Sequence, residues 1–319
     1  MILAQHGHSA LNPASADAAA IGRMFDFMVV TATIVFVLVV AAALWAAWRR
    51  RALDEDRRSA ERERSAHKAI IAAISATVVV LFVTLIYDLA QGRSLISHPK
   101  RDMLTIRLTG HQWWWEVEYE DSVAQNRVRT ANEIRLPVGR RVLLKLDSRD
   151  VIHSFWAPNI GGKKDLIPGH PNELSLEVSR AGVYRAPCAE FCGLQHANMS
   201  LYVVAEDEVS FASWITKQRV SVAPSPDTLA ARGQLVFETT NCATCHTVRG
   251  TKAGGTVGPD LTHVASRRTI AAGTLSNTRA NLAGWIVDPQ RIKPGVYMPS
   301  NALDPGDFRA IVAYVSALR

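Results

Sequence analysis

The chain has 319 residues, with 36 Lys and Arg against 29 Asp and Glu, a net charge of +7 and only four cysteines; its mean hydropathy is +0.03 and its pI near 9.4. This length suits two domains, or three if one is small. No long basic patch with interleaved aromatics accompanies the charge, which argues against a nucleic-acid partner. Four cysteines in two close pairs are too few for a disulfide framework and read instead as cofactor ligands.

In chain order, residues 1–22 precede the first apolar run. Met24–Trp48 is apolar except for Asp26 and long enough to span a bilayer as a helix. Ala69–Tyr87 carries no charge and is near spanning length. Between them lies the Arg-rich stretch R-R-R-A-L-D-E-D-R-R-S-A-E-R-E-R. Residues 23–95 therefore read as a two-helix transmembrane hairpin, its Arg-rich turn cytoplasmic by the positive-inside rule. The N-terminus and everything after Gln91 then lie on the extracytoplasmic (periplasmic) side of a bacterial inner membrane. Trp45 and Trp48 sit where an interfacial aromatic belt would be. Asp26 reads as an interfacial charge rather than a proton carrier. A cleaved signal peptide is the weaker reading of the first run, because its basic cluster follows the apolar core instead of preceding it.

From Asp102 the pattern changes to short alternating runs. Leu104–Leu108, Trp113–Tyr119, Val142–Leu146, Leu174–Val178 and Leu201–Val204 read as strands separated by Gly/Pro/Asn/Asp clusters. Residues 100–218 thus form an all-β sandwich or Greek-key barrel, closed by a short helix at Ser210–Gln218. A Pro/Ser linker covers 219–227. Residues 228–319 are all-α, with helices predicted at Thr228–Thr239, Asn281–Asp288 and Pro305–Leu318, the last capped by Asp304 or Asp307.

Two motifs carry chemistry. Cys242-Ala-Thr-Cys245-His246 is C-x-x-C-H, the attachment site of a c-type haem, with both thiols bonded to the macrocycle and the imidazole beneath the iron. Met298 is the only methionine after it and the expected second axial ligand; His263 is the competitor. A redox dithiol would be expected near a βαβ pattern, which is absent, and zinc would need two further ligands where only His263 is near. The second motif is His153, Cys188, Glu190, Cys192, His196 and Met199, spaced H-x34-C-x-E-x-C-x3-H-x2-M. Soft thiolates with imidazole and thioether select copper. Two cysteines four apart can each bridge two ions, the histidines cap one each, and Met199 and the Glu190 carbonyl supply weak ligands. A Cys2His2 zinc site would leave Met199 idle.

The stretch from His153-Ser-Phe-Trp to Met199, with Gly162-Lys-Lys-Asp-Leu-Ile-Pro-Gly169 and Gly110-His-Gln-Trp-Trp-Trp115, resembles subunit II of cytochrome c oxidase. Residues 228–319 resemble a class I cytochrome c, including Gly258-Pro259, Trp285 as a haem-packing aromatic, and a closing helix that crosses the first. Together they match the fused-cytochrome variant of the subunit II family. The resemblance implies a cupredoxin-like domain holding two copper ions (CuA) on the six residues above. It implies a magnesium ion at the Glu190 side chain, where subunit I would meet it, and electron entry through a surface Trp113, with Trp115 the buried core tryptophan. It further implies subunit I and other membrane subunits as partners, with a soluble cytochrome or quinol–cytochrome c reductase as electron donor. Two departures stand out. His170 replaces the family's usual Arg after P-G. The usual proton-admitting Glu at the start of the second span is missing, leaving His67, Glu61 or Glu63 in that region. Glu116, Glu118, Glu120 and Asp121 form either a docking patch for the basic cytochrome domain or a solvated strand edge. A nitric oxide reductase subunit would carry the same copper ligands; a copper-delivery protein is a third reading, against which the C-x-x-C-H domain argues.

Overall fold

The structure is a computed structural model that describes residues 5–6, 8–50, 59–96 and 103–319. It divides into two compact units, residues 19–99 and residues 1–18 with 100–319.

Strand β1 (Gln5–His6) is followed by two long helices, α1 (Ala16–Arg50) and α2 (Ser59–Ile96). Ser15 caps α1 by accepting from the Ala18 amide, which lets the Ala-rich stretch before the apolar run join the helix. Both helices thus exceed the predicted apolar runs, and each is long and apolar enough to cross a membrane. Their apolar side chains, Val35, Phe36, Leu81 and Phe82 among them, face outward. The Phe27 and Tyr87 rings join the two helices at 4.7 Å. The Arg-rich turn at 51–58 and the Glu61 side chain lie outside the described residues. Glu63 and His67 are exposed, and His67 Nδ1 bonds the Glu63 carbonyl one turn earlier.

The larger unit begins with a β-sandwich: β2 (Leu104–His111), β3 (Trp114–Tyr119), β4 (Val128–Ala131), β5 (Glu133–Pro137), β6 (Val142–Ser148), β7 (His153–Phe155), β8 (Lys164–Leu166), β9 (Asn172–Leu176), β10 (Gly182–Pro187) and β11 (Ser200–Glu206). One five-stranded sheet runs β4-β3-β2-β6-β9, the other four-stranded sheet β1-β10-β11-β5, and β7 pairs with β8. Along β3, Trp115, Val117 and Tyr119 point inward while Trp114, Glu116 and Glu118 point outward, the period-two pattern of a half-buried strand. Trp115, Ile106, Leu108, Leu144 and Leu146 fill the core, each worth roughly 1.5–3 kcal/mol of burial. Helix α3 (Glu208–Arg219), capped by Asp207, lays Phe211 and Trp214 against Tyr119.

The residues before α1 belong to this sandwich. Gln5 and His6 pair in parallel with Val183 and Tyr184 of β10. The Ala14 amide donates to the Asn159 carbonyl, the Ser179 amide to the Ala14 carbonyl, and Arg141 pairs with Asp17 at 3.4 Å.

The last third contains α4 (Thr228–Thr239), α5 (Cys242–Cys245), a small hairpin of β12 (Thr269–Ile270) and β13 (Leu275–Ser276), α6 (Arg279–Val287), α7 (Pro289–Ile292) and α8 (Pro305–Ala317). Asp227 caps α4 and Asp304 caps α8. The first and last of these helices pack together through Phe237 and Tyr314, ring centroids 5.7 Å apart. Phe237, Leu282, Ile286, Ile311 and Tyr314 belong to a core separate from that of the sandwich.

Candidate metal and haem sites

The six residues of the copper motif converge. His153 opens β7, Cys188 follows β10, and Cys192, His196 and Met199 lie on the turn that leads into β11. Cys188 Sγ lies 3.8 Å from His153 Nδ1 and 3.3 Å from the Glu190 carbonyl oxygen. Cys192 Sγ lies 3.6 Å from His196 Nδ1 and 3.9 Å from Met199 Sδ. Each thiol therefore has its own histidine and its own weak donor. His153, Cys188, Cys192 and Met199 are buried. Of the thiols, Cys188 ionises first. Its hydrogen bond with Cys192 draws it down to about 4 against the cost of burial, and the same bond, with burial, pushes Cys192 upward. The pair shares one proton, which a bound soft metal would displace.

Asp150 organises this site and was not anticipated from the sequence. A carboxylate accepts only, so His153 Nε2 donates to Asp150 Oδ1 at 2.8 Å and Nδ1 is left facing the sulfur. The other oxygen of Asp150 accepts from the Gln112 amide. Gly110 lies under the same ring: a Cβ there would sit 2.6 Å from His153 Cδ2, so only glycine permits the ring to lie on the β2 backbone.

The haem motif lines a cleft of about 1420 Å³, counting its solvent-open mouth. Cys242, Cys245 and His246 stand on one wall, and Met298, Trp285 and Ile286 also line it. His246 Nδ1 donates to the Pro259 carbonyl at 2.8 Å, leaving Nε2 for a metal. Burial holds this imidazole below its usual pKa, which keeps it a neutral ligand. Gly258 allows the arrangement, since a Cβ would meet His246 Cε1 at 2.6 Å. The Met298 loop is fixed by Gln290, whose amide donates to the carbonyls of Val296 and Met298, both at 2.7 Å. The donor set (two thiols, one imidazole, one thioether across an apolar cleft) fits a covalently held haem. His263 does not line this cleft; its Nε2 donates to the Val220 carbonyl and holds the linker.

Comparison with known proteins agrees with both halves. Residues 122–206 match the family model of the cytochrome c oxidase subunit II periplasmic domain, and residues 230–319 match that of cytochrome c. The chain is 38% identical over 215 residues to cytochrome c oxidase subunit 2 of Alkalihalophilus pseudofirmus, an alignment covering 67% of this chain and 61% of that one.

The chain joins a subunit II periplasmic domain to a cytochrome c domain.

The corresponding protein of Bacillus sp. (strain PS3) is 28% identical over 85% of this chain and 80% of its own. The chain thus spans less than two thirds of the first of these relatives and most of the second. The crystal structure of the periplasmic domain of cytochrome oxidase subunit II from Bradyrhizobium japonicum aligns with 38% of this chain and 96% of its own, at 32% identity and a TM-score of 0.35. Copper in the subunit II domain and haem in the cytochrome c domain follow from these families.

The two domains touch at the aromatic turn. Trp113, expected on the surface, is 8% exposed, with Gly193 of its own domain and Gly295 of the cytochrome c domain both against its ring. Its indole Nε1 donates to the Cys192 carbonyl at 2.8 Å, and Trp113 and Trp114 both line the haem cleft. Trp115 is wholly buried beside His153, ring centroids 5.8 Å apart. The acidic residues of β3 and of the turn after it do not form a free docking patch. Glu118 pairs with Arg129, Glu120 with Arg107 and Lys145, and Asp121 with Arg219, while Glu116 bonds His111. All four find partners within the subunit II domain. The Glu190 carboxylate stands 3.9 Å from Lys163, and among the described residues no group of carboxylates gathers around it. His170 is exposed, in a turn closed on the Ile167 carbonyl.

Proposed function

We propose that this chain is the electron-entry subunit of a haem–copper cytochrome c oxidase, passing electrons from a covalent haem c to a dinuclear CuA centre and on to subunit I, where O2 is reduced to water with proton pumping. The observation that carries this reading is Trp113, which lines the haem cleft and hydrogen-bonds the backbone of the copper ligand Cys192. Bound at these sites, haem iron and paired copper supply one-electron redox centres. His153 and His196 through their imidazoles, Cys188 and Cys192 through their thiolates, and Met199 and the Glu190 carbonyl as weak donors would hold the coppers. Cys242 and Cys245 would hold the haem covalently, and His246 and Met298 would supply the imidazole and thioether for its iron. Asp150 and the Pro259 carbonyl accept hydrogen bonds from His153 and His246 and so orient both rings, so that little rearranges when charge changes. Trp113 offers a short route between the sites through its own ring and one hydrogen bond.

Helices α1 and α2 would span the membrane and place both domains on the extracytoplasmic side. Residues 8–18 support this. They are part of the sandwich, so a leader cleaved after α1 would strip them from it. Subunit I and further membrane subunits would be the partners, with a soluble cytochrome or a quinol–cytochrome c reductase as donor.

The test is electron paramagnetic resonance and haem staining of the full chain, purified in detergent with copper supplied. A mixed-valence signal from two coppers sharing one electron, with haem retained under denaturing conditions, is expected. A single mononuclear copper signal, or stoichiometric zinc, would overturn the reading.

A further inference from the structure

Lys293 is 1% exposed, although in the run Arg291-Ile-Lys-Pro-Gly295 it looks like a surface residue. A buried ammonium is costly unless acceptors surround it. Its Nζ donates to two main-chain carbonyls, Trp113 at 3.0 Å and Ala271 at 3.2 Å. One acceptor belongs to each domain, so neither domain alone completes the site.

The surroundings repeat this pattern. The tip of the β12–β13 hairpin leans on the loop that carries the copper ligands. The Ser200 amide donates to the Ala272 carbonyl at 2.8 Å, and Thr274 Oγ1 donates to the Asn198 carbonyl. The Gln195 side chain, one residue before His196, donates to the Pro294 carbonyl at 2.8 Å. Farther along, the Arg268 amide donates to Glu133. Ala271 and Ala272 have φ of 53° and 56°. That left-handed backbone is unfavourable for residues with a Cβ and persists where surrounding contacts impose it. Here it turns both carbonyls toward Lys293 and Ser200. Val296 packs against the sandwich core.

We infer that Lys293 is a positioning residue, a latch that holds the cytochrome c domain on the copper-ligand loop and keeps Trp113 against the haem cleft. The two domains then act as one pre-docked body rather than as a tethered donor that must find its acceptor on each turnover. The inference rests on the proposed function only for what the latch serves; the latch itself can be tested separately.

The Ser200 amide reports on the contact, because its acceptor lies in the other domain. Hydrogen exchange is measured on the full chain in detergent, with haem attached and copper loaded. The wild type is expected to protect Ser200. Lys293→Met is expected to speed its exchange by about tenfold or more, the worth of its two lost buried hydrogen bonds, while amides of β2 and β3 keep their protection. Lys293→Arg, which keeps charge and donors, should restore slow exchange. If Lys293→Met does not fold, Lys293→Gln, which keeps the size and loses the charge, is expected to give a several-fold increase. Unchanged Ser200 protection in a folded Met or Gln variant would overturn the latch, as would unprotected Ser200 in the wild type. The copper and haem spectra of the same samples judge the proposed function independently: their absence would sink that reading and leave the exchange result to decide the latch.

Discussion

The copper loop and the haem cleft treat a histidine in the same way and differ in almost everything else. In each, a glycine lets the imidazole lie on the main chain, Gly110 under His153 and Gly258 under His246. In each, an oxygen accepts from one ring nitrogen and leaves the other for a metal. The scaffolds behind them are unlike. The copper donors come from the ends of β7, β10 and β11, which are tied into a sandwich core, and they lie within 3.3–3.9 Å of one another in pairs. The haem residues come from a four-residue helix and two long loops, and they face each other across a wide apolar cleft. The copper centre is therefore organised by its fold, whereas the cytochrome c domain depends on its cofactor to fill the middle of its core.

The sharpest way to break this comparison is to prevent haem attachment. Replacing Cys242 and Cys245 by Ala should abolish covalent haem and unfold the cytochrome c domain. Leaving the apolar lining of the cleft in water should outweigh the about 5–15 kcal/mol that holds a typical domain together. Circular dichroism should show loss of the α4 and α8 helices with the sandwich signal retained. Chelating copper should do much less: the sandwich should stay folded, with a lower thermal midpoint because binding energy is withdrawn. If the chelated sandwich unfolds at room temperature, the contrast between the sites fails. Asp150→Asn should weaken copper binding about 10- to 100-fold, as loss of a supporting carboxylate does at metal sites, in competition titrations against a chelator of known affinity. Gly258→Ala forces a methyl into the His246 ring and should cost about 1–3 kcal/mol of cytochrome c domain stability, read by thermal melting of the haem absorbance. Glu118→Gln should cost at most about 1 kcal/mol, the usual worth of a surface ion pair. It should also leave haem-to-copper transfer unchanged in rapid-mixing kinetics, since its partner is Arg129 of the same domain.

Residues with unusual chemistry at fixed spacing were legible in the sequence. The residues proposed for copper, C-x-x-C-H and Met298 could be picked out without coordinates because few other residue types suit such metals; the structure brings the first set together and lines one cleft with the second. The apolar helices and the alternating strands β2, β3, β6 and β11 were legible from period and composition. Strands β4 and β5 were not, because V-R-T-A-N-E-I-R-L-P mixes charges with apolar residues on both faces. Strand β9 runs Asn172–Leu176 where Leu174–Val178 was expected; its polar start pairs with Leu146 and Lys145, which composition alone does not reveal. The supporting residues were the hardest to see. Asp150, Gln290 and Lys293 are ordinary polar residues whose roles come from partners such as the Trp113 carbonyl, 180 positions away from Lys293. Trp113 was expected at the surface because nothing in its own neighbourhood signals that the cytochrome c domain lies over it.

The first residues of the chain set a constraint on how the protein is made. Ser179 bonds the carbonyl of Ala14 across 165 positions, and Gln5 and His6 form the outer strand beside β10. On the proposed topology, a ribosome delivers that strand long before the sheet that receives it, with both membrane helices between. The start of the chain must therefore cross the bilayer and wait at its outer face until β10 emerges. Export of the N-terminus is then a folding step of the domain as well as a targeting event, and a chain whose first helix inserted the wrong way round would lack one edge of its sandwich.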